Sequence, residues 1–114
     1  MPFLIRVIVT TFAVVIGAYI MPGVTVDSFL TAIVVAFVLG ILNGILKPIL
    51  VLLTLPVTVL SLGLFLLVIN AFIIMLTGYF VPGFLVSNFF VALIFSIVLS
   101  LLNALLEMPV GRRR

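Results

Sequence analysis

The sequence predicts an all-α membrane protein with four transmembrane helices, and three observations support this prediction. Hydrophobic residues make up 68% of the 114 residues and charged residues only 6%, whereas globular domains carry about 25% charged residues. Four apolar segments are each long enough to cross a bilayer and end at helix-breaking or charged residues. The second half of the chain also repeats the pattern of the first half at an offset of 60 residues.

The four apolar segments are identified by their length and by the residues that end them. A helix needs about 20 apolar residues to cross a hydrocarbon core of roughly 30 Å. The segments run from about Phe3 to Met21, Phe29 to Leu46, Leu64 to Val81 and Phe89 to Leu106. They end at Pro22-Gly23, at Lys47-Pro48, at Pro82-Gly83 and at Glu107. Because a backbone in lipid must pair its own polar groups, we expect each segment to be an α-helix.

The first segment also has features of a secretory signal peptide, since Arg6 precedes an apolar run. Cleavage requires small side chains before the cut, and no such site precedes Asp27. The residues from Tyr19 to Pro22 are bulky. We therefore expect this segment to remain in the protein as the first transmembrane helix.

An internal repeat relates the two halves of the chain. Identical residues 60 positions apart include Phe12/Phe72, Tyr19/Tyr79, Pro22/Pro82, Gly23/Gly83, Val26/Val86, Phe29/Phe89, Ala32/Ala92 and Asn43/Asn103. This pattern predicts a tandem duplication of a two-helix unit. Because each copy has two spans, both copies share one orientation, and a pseudo-two-fold axis along the membrane normal relates them. The predicted organisation is a first repeat over 1–47, a linker over 48–62 and a second repeat with a basic tail over 63–114.

The linker from Pro48 to Gly63 leaves three alternatives: a fifth span, a re-entrant hairpin or a helix lying in the interface. A fifth span is rejected, because the segment is short and would put the C-terminal arginines opposite Arg6. The polar residues of this region recur on one helical stripe, which comprises Lys47, Thr54, Thr58 and Ser61. We therefore predict an amphipathic interfacial or re-entrant segment. Pro48 is expected in its first helical turn, and Pro56 is expected to bend it near Leu52 to Leu55.

The cations determine the predicted orientation in the membrane. Arg6, Lys47 and the arginines at 112–114 all lie on one face of a four-span protein. The positive-inside rule makes that face cytoplasmic, so both termini are expected inside the cell and Asp27 outside. Tyr19 and Tyr79 are expected to anchor the outer interface.

Small residues occur at every fourth position of the second and fourth segments. They are Ala32, Ala36, Gly40 and Gly44 in one and Ala92, Ser96, Ser100 and Ala104 in the other. Because lipid gives no hydrophobic drive for helix association, such faces pack closely, and we expect these two to meet at the pseudo-two-fold axis. The intramembrane asparagines Asn43, Asn70 and Asn103 are expected to bond between helices, with ion or substrate contact as the alternative.

Lys47 and Glu107 occupy equivalent positions in the two repeats. If the second and fourth helices pack along their small faces, these opposite charges approach each other near the axis. We therefore predict a partly buried ion pair. The alternative is that Lys47 extends to lipid phosphates and serves only as an anchor.

The residue content argues against catalysis. The chain has no His and no Cys, which removes imidazole acid–base chemistry, a thiolate nucleophile and the nitrogen and sulfur ligands of a zinc site. We expect no enzyme activity, no catalytic residue, no cofactor and no metal. The computed pI of 10.3 rests on five cations, so nucleic acid is not an expected partner.

Several motifs resemble those of a known family. They are Leu-Gly-Ile-Leu-Asn-Gly-Ile-Leu-Lys-Pro-Ile-Leu at 39–50, Leu-Thr-Leu-Pro-Val-Thr at 53–58, Leu-Gly-Leu-Phe at 62–65, Ile-Asn-Ala at 69–71 and Val-Pro-Gly-Phe at 81–84. Over nearly the entire chain the sequence resembles the bacterial four-span phage holin family, which is related to the mycobacterial four-TMS holin superfamily. This resemblance implies a multi-pass protein of the bacterial inner membrane, and it carries no catalytic residue over.

Three functional hypotheses follow. The preferred one is a non-catalytic membrane subunit or envelope-associated scaffold, whose partners are the lipid bilayer, further copies of itself or another membrane protein. The alternative is a holin-type pore former, which requires a continuous polar wall that scattered Thr, Ser and Asn residues do not supply. The third is a small-solute transporter, although the spans carry no charge for coupling and no small-molecule substrate is identified.

Overall fold

The structure is a computed structural model that describes the backbone of residues 2–111 and the side chains of residues 2–107. Its helices are α1 (Phe3–Ile20), α2 (Phe29–Leu53), α3 (Leu55–Leu60), α4 (Phe65–Phe80) and α5 (Phe89–Gly111), and its strands are β1 (Val24–Val26) and β2 (Phe84–Val86). Within this part of the chain three helices, α1, α2 and α5, are long and apolar enough to span a membrane, and α4 is a shorter apolar helix. The architecture is therefore helical, as predicted, and consistent with four transmembrane spans.

The helix α4 is the shortest of the four apolar helices. Its 16 residues correspond to about 24 Å, less than the roughly 30 Å of a hydrocarbon core. The residues before it form a tight turn in which Gly63 N donates to Thr58 O and Leu64 N donates to Ser61 O. Gly63 has a φ of 87°, which glycine adopts without steric cost.

Two helix ends differ from the sequence prediction. The second helix was expected to stop at Lys47-Pro48, but α2 continues through Pro48 to Leu53, and α5 continues beyond Leu106 to Gly111. Pro48 is therefore inside a helix and not in a first turn. A proline removes only one backbone hydrogen bond, and transmembrane helices tolerate this loss when neighbouring groups replace it.

The bend predicted from Pro56 is confirmed. The helix is interrupted at Thr54, whose φ and ψ of −105° and 15° are not helical, and α3 begins at Leu55. Pro56 stands in the first turn of α3, where its missing N–H has no intrahelical acceptor to lose. The clash of its ring with the preceding turn explains why the break lies just upstream.

The polar stripe of the linker faces the protein and not the solvent side. Thr58 is buried, and Thr54 and Ser61 are half-buried. The hydroxyl groups of Thr54 and Ser61 bond to backbone groups four residues away, Leu50 O and Phe65 N. The outward side of the same segment is apolar, and its most exposed side chains are Leu52, Leu53, Val59, Leu60 and Leu62. The segment is amphipathic as predicted, but its polar side is turned inwards.

A two-stranded ribbon joins the two connections at one end of the bundle. β1 pairs with β2 in antiparallel register, with Thr25 opposite Leu85. The ribbon is extended by two reciprocal backbone bonds, from Asp27 N to Gly83 O and from Ser87 N to Gly23 O, each of 2.9 Å. Val24 pairs with Val86 and Val26 pairs with Phe84, so exchanging the two halves of the chain reproduces the same pairs. The pairing therefore has two-fold symmetry. The ribbon is not predicted by the sequence pattern.

The four apolar helices α1, α2, α4 and α5, called the long helices below to distinguish them from the six-residue α3, form a ring next to the ribbon. α1 packs against α2 and α5, and α4 packs against the same two helices. The starts of α2 and α5 are capped at equivalent positions, since Ser28 Oγ accepts from Thr31 N and Asn88 Oδ1 accepts from Val91 N. Each of the two long helices therefore begins directly after a strand of the ribbon.

The core occupies the half of the bundle next to the ribbon, which we call the ribbon end. Its largest fully buried side chains are Val14, Val35, Ile73, Thr77, Phe84 and Phe95. The rings of Phe84 and Phe95 lie 6.2 Å apart. A Cβ placed on Gly17 would lie 2.8 Å from Cε1 of Phe95, so α1 and α5 are in close contact here. The ribbon end is closed by apolar packing.

We expect Gly17→Ala to destabilise the protein by about 1 to 3 kcal/mol, because the added methyl group overlaps a ring that is itself fully buried. Thermal unfolding followed by circular dichroism in detergent measures this loss. Gly44→Ala is the matched control, since a Cβ there meets nothing within 4 Å. Equal stability of the two variants would contradict the close contact.

Candidate functional site

A cleft opens at the end of the bundle opposite the ribbon. Its volume is about 510 Å³ and all four long helices contribute to it. The lining residues come from the start of α1, the second half of α2, the middle of α4 and the centre of α5: Phe3, Arg6, Leu39, Gly40, Asn43, Gly44, Lys47, Asn70, Ile73, Ile74, Ser96, Leu99, Ser100 and Asn103. Apolar packing closes the bundle on the ribbon side of this cleft.

The wall of the cleft combines apolar and polar side chains, and the charges among its described residues are positive. Arg6 from α1 and Lys47 from α2 are its two ionised residues, and no Asp or Glu lies among the described lining residues. Three asparagines and two serines complete the polar surface. Arg6 is exposed and Lys47 is half-buried, so water or an anion compensates their charges.

The amide of Asn103 is only half satisfied by the protein. Its Nδ2 donates to Thr10 Oγ1 across the α1–α5 contact at 3.5 Å, the upper limit for a hydrogen bond. Its Oδ1 is buried and has no hydrogen-bond partner. The predicted bonding between helices is therefore present but weak at this residue, whose Oδ1 is enclosed by protein atoms.

The other two intramembrane asparagines belong to the same wall. Asn43 from α2 is exposed and Asn70 from α4 is half-buried, and both line the cleft with Asn103. The three amides predicted from sequence thus converge on one site from three helices. Their expected role as bonding partners between helices stays a prediction for Asn43 and Asn70.

The small-residue faces divide into a packed part and an open part. Ala36 and Ser96 are buried in the core. A Cβ on Gly40 would lie 2.7 Å from Cε1 of Phe3 in α1, whereas one on Gly44 meets nothing within 4 Å. Ser100 lines the cleft and Ala104 is exposed. Gly40 is therefore closely packed, but against α1, and the expected contact between the α2 and α5 faces is wrong at Gly44, Ser100 and Ala104.

The reason for this correction is the order of the helices around the ring. The helices α2 and α5 pack mainly against α1 and α4. Without large side chains between them at the level of Gly44, the two small faces leave a space instead of a contact. That space is the cleft.

Lys47 lies on the cleft and Glu107 does not. Arg6 and Lys47 both line the cleft, whereas Glu107 is absent from its lining. The predicted Lys47–Glu107 pair is therefore not formed in the described part of the chain. Arg6 was not predicted as a site residue, because in the sequence it serves only as a marker of orientation.

The chemistry available in the cleft is recognition by charge and hydrogen bonds. Among the described residues no three His, Cys, Asp or Glu side chains come together as a metal site. The charged groups are a guanidinium and an ammonium, and the neutral groups are amides and hydroxyls. Such a surface suits a ligand that carries negative charge.

The fold defines a multi-pass helical membrane protein, and comparison with known proteins gives its family. The family described as mycobacterial 4 TMS phage holin, superfamily IV, matches residues 1–105. The chain belongs to this family, which confirms the resemblance seen in the sequence motifs.

Two relatives are similar over most of their length. The uncharacterized membrane protein YvlD of Bacillus subtilis (strain 168) is 39% identical over 95 residues, covering 82% of this chain and 79% of that protein. The uncharacterized protein SCO3922 of Streptomyces coelicolor is 37% identical over 111 residues, covering 89% of each. No solved structure matches the chain.

Proposed function

We propose that this holin-family protein is a non-catalytic subunit or scaffold of the bacterial cytoplasmic membrane. In this proposal its outward apolar helix faces contact lipid, further copies of itself or another membrane protein. The observation that carries the proposal is the apolar core at the ribbon end, where Val14, Val35, Phe84 and Phe95 are fully buried. In the described part of the chain, this apolar core separates the cleft from the ribbon.

The pore-forming alternative requires several chains. The polar residues that would line a channel are gathered in a cleft within one bundle, while the outer surface of each long helix carries exposed Leu, Ile, Val and Phe side chains. A channel between copies would therefore have an apolar wall, which disfavours water and ions. The subunit or scaffold role needs only that apolar surface.

The proposal includes a tandem duplication as the origin of the fold. The elements of 3–53 recur at 65–111, and the ribbon register exchanges equivalent positions. One close contact supports divergence after duplication. Gly17 stands opposite the large ring of Phe95, whereas the positions equivalent to these two hold Thr77 and Val35, which are both fully buried. A small–large pair in one half thus corresponds to two medium residues in the other.

The proposed orientation places both termini and the cleft on the cytoplasmic side, and the ribbon outside. Arg6 and Lys47 both lie at the cleft end, which the positive-inside rule assigns to the cytoplasm. The segment from Pro48 to Gly63 is then a shallow re-entrant element, because its exposed side is apolar and its hydroxyl groups are buried or half-buried. A helix that lies on the headgroups would instead expose its polar side to water and bury its apolar side.

The orientation predicts a labelling pattern in this cysteine-free chain. Thr25 is exposed at the centre of the ribbon, so Thr25→Cys is expected to react with a membrane-impermeant maleimide added outside intact cells. Arg112→Cys, beyond the described residues, is expected to react only after the membrane is opened. The reverse pattern would contradict the orientation.

The subunit or scaffold role predicts that the purified protein does not permeabilise lipid vesicles. We expect vesicles loaded with a self-quenched dye to retain it at every protein-to-lipid ratio, because the ribbon end is closed. Native mass spectrometry on the same preparation reports whether copies associate. Dye release that rises with protein content would contradict the proposal and support the pore-forming alternative.

A further inference from the structure

We propose that the cleft is a water-filled vestibule, open at the end of the bundle opposite the ribbon, that draws small inorganic anions into the membrane-spanning part of the protein. This role goes beyond the subunit or scaffold role, and it depends neither on that role nor on the orientation in the membrane. It is supported by the polar lining of the cleft, by the proline within α2 and by the sign of the charges.

Polar side chains line the cleft from three helices, at a depth where contact with lipid would be costly. Asn43 in α2 and Ser100 in α5 are exposed, and Asn70 in α4 is half-buried. Polar side chains within membrane-spanning segments face either the interior of a bundle or a water-filled cavity. The cleft of about 510 Å³ has room for roughly fifteen water molecules at about 30 Å³ each. Water there supplies hydrogen-bond partners to these amides and to the hydroxyl group.

The proline within α2 removes a backbone donor next to the cleft. In a regular helix the N–H at position 48 would bond to the carbonyl of Gly44, and Pro48 has no N–H. Gly44 lines the cleft, and a Cβ there would meet nothing within 4 Å, so a water molecule fits beside it. Ordered water is one of the groups that replace a hydrogen bond lost to proline in a transmembrane helix. A water-filled cleft thus accounts for a helix that continues through Pro48.

The cleft extends well into the bundle. On α2 its lining residues run from Lys47 to Leu39, which corresponds to a rise of about 12 Å. On α5 they run from Asn103 to Ser96, a rise of about 10 Å. The hydrocarbon core measures roughly 30 Å, so these distances are about a third of its thickness. Beyond them, in the described part of the chain, the apolar core separates the cleft from the ribbon.

The charges of the cleft select anions. Arg6 in α1 and Lys47 in α2 line it, and no acidic side chain lies among the described lining residues. Walls of low dielectric constant focus the field of such charges into the water between them. A potential of about 1 kT raises the concentration of a monovalent anion about threefold and lowers that of a monovalent cation about threefold. The vestibule is therefore expected to favour an anion over a similar cation roughly sevenfold.

Two other occupants of the cleft are a lipid acyl chain and part of a second copy of the protein. An acyl chain would lie against Asn43, Asn70 and Ser100 without offering them a hydrogen bond, which is unfavourable. Either occupant would exclude water and charged solutes from the cleft. The reaction of a cysteine in the cleft with charged reagents therefore distinguishes water from both.

The first test compares two neighbouring positions of α5 in the full-length protein in lipid nanodiscs, where both membrane faces are accessible. Ser100 lines the cleft, whereas Leu101 is 60% exposed and lies outside the lining. Because the chain has no cysteine, Ser100→Cys and Leu101→Cys each carry a single thiol. We expect the anionic reagent sulfonatoethyl methanethiosulfonate to modify Ser100→Cys at least about tenfold faster, since a thiol against lipid stays protonated and the thiolate is the reacting form. Equal rates would overturn the proposal.

The second test measures charge selectivity at Ser100→Cys. The rate with the anionic reagent is divided by the rate with its cationic trimethylammonioethyl counterpart, and this ratio is normalised to that of free 2-mercaptoethanol. We expect a normalised ratio of about seven at low ionic strength and a fall towards one at 1 M salt, where the Debye length is about 3 Å. Any change in the thiolate fraction affects both reagents equally and cancels. A normalised ratio near one at low salt would contradict the selection of anions.

Charge variants assign the selectivity to the two cations. In the Ser100→Cys background, Lys47→Met and Arg6→Gln are each expected to lower the normalised ratio to about three, because each removes about half of the positive potential. Lys47→Arg is expected to retain the ratio. Asp27→Asn, which changes the net charge by one unit at the ribbon, is the control and is expected to leave it unchanged. Helical circular dichroism checks the folding of every variant, and an unaltered ratio in both cation variants would overturn the assignment.

Discussion

The pairing of β1 with β2 is the interaction on which the rest of the structure depends. The two connections at this end leave the helices with unpaired backbone groups next to the membrane, where such groups are expensive. Each connection satisfies the other through the strand register and the reciprocal Asp27–Gly83 and Ser87–Gly23 bonds. Gly23 and Gly83 allow this approach with φ values of 95° and 92°, which other residues rarely adopt. The pairing fixes the axis that relates the two halves.

That axis accounts for the difference between the two ends of the bundle. Near the ribbon the helices are close, and Phe84, Phe95 and Val35 fill the space between them. Further from the ribbon the facing residues of α2 and α5 are small, as Gly44 and Ser100 illustrate, and no large side chain replaces the contact. Small residues produce close packing only where helices are already held together. At the other end they leave the cleft, and Arg6 and Lys47 make it positive.

Much of this architecture follows from the sequence, because lipid restricts what a chain can form. Long apolar segments must be helices, and the breaks at Met21 and Thr54 follow from nearby prolines that cannot continue a helix. Pro48 shows the limit of this reasoning, since whether a helix tolerates a proline depends on its surroundings and not on the residue alone. The ribbon was missed because three-residue strands have almost no periodicity and their partners are 60 residues apart.

Some residues of the cleft were predicted from the sequence. The intramembrane asparagines and the small residues were identified, but their arrangement was read as contact between two helices. The convergence of Arg6, Lys47 and Asn103 depends on the order of helices around the ring, which no pattern within one segment specifies. Asn103 Oδ1 is buried without a hydrogen-bond partner. The sequence alone does not show this, because it depends on which atoms surround the side chain in the folded protein.

A disulfide across the ribbon tests the two-fold pairing most directly. Val24 lies opposite Val86, and opposing residues of an antiparallel pair are about 4.5 to 5.5 Å apart at Cα, within reach of a disulfide. The account predicts that Val24→Cys with Val86→Cys forms an intramolecular disulfide under mild oxidation. Val24→Cys with Leu85→Cys is expected to remain reduced, because adjacent residues of a strand point to opposite faces. Equal oxidation of both pairs, or of neither, would contradict the register and the symmetry that follows from it.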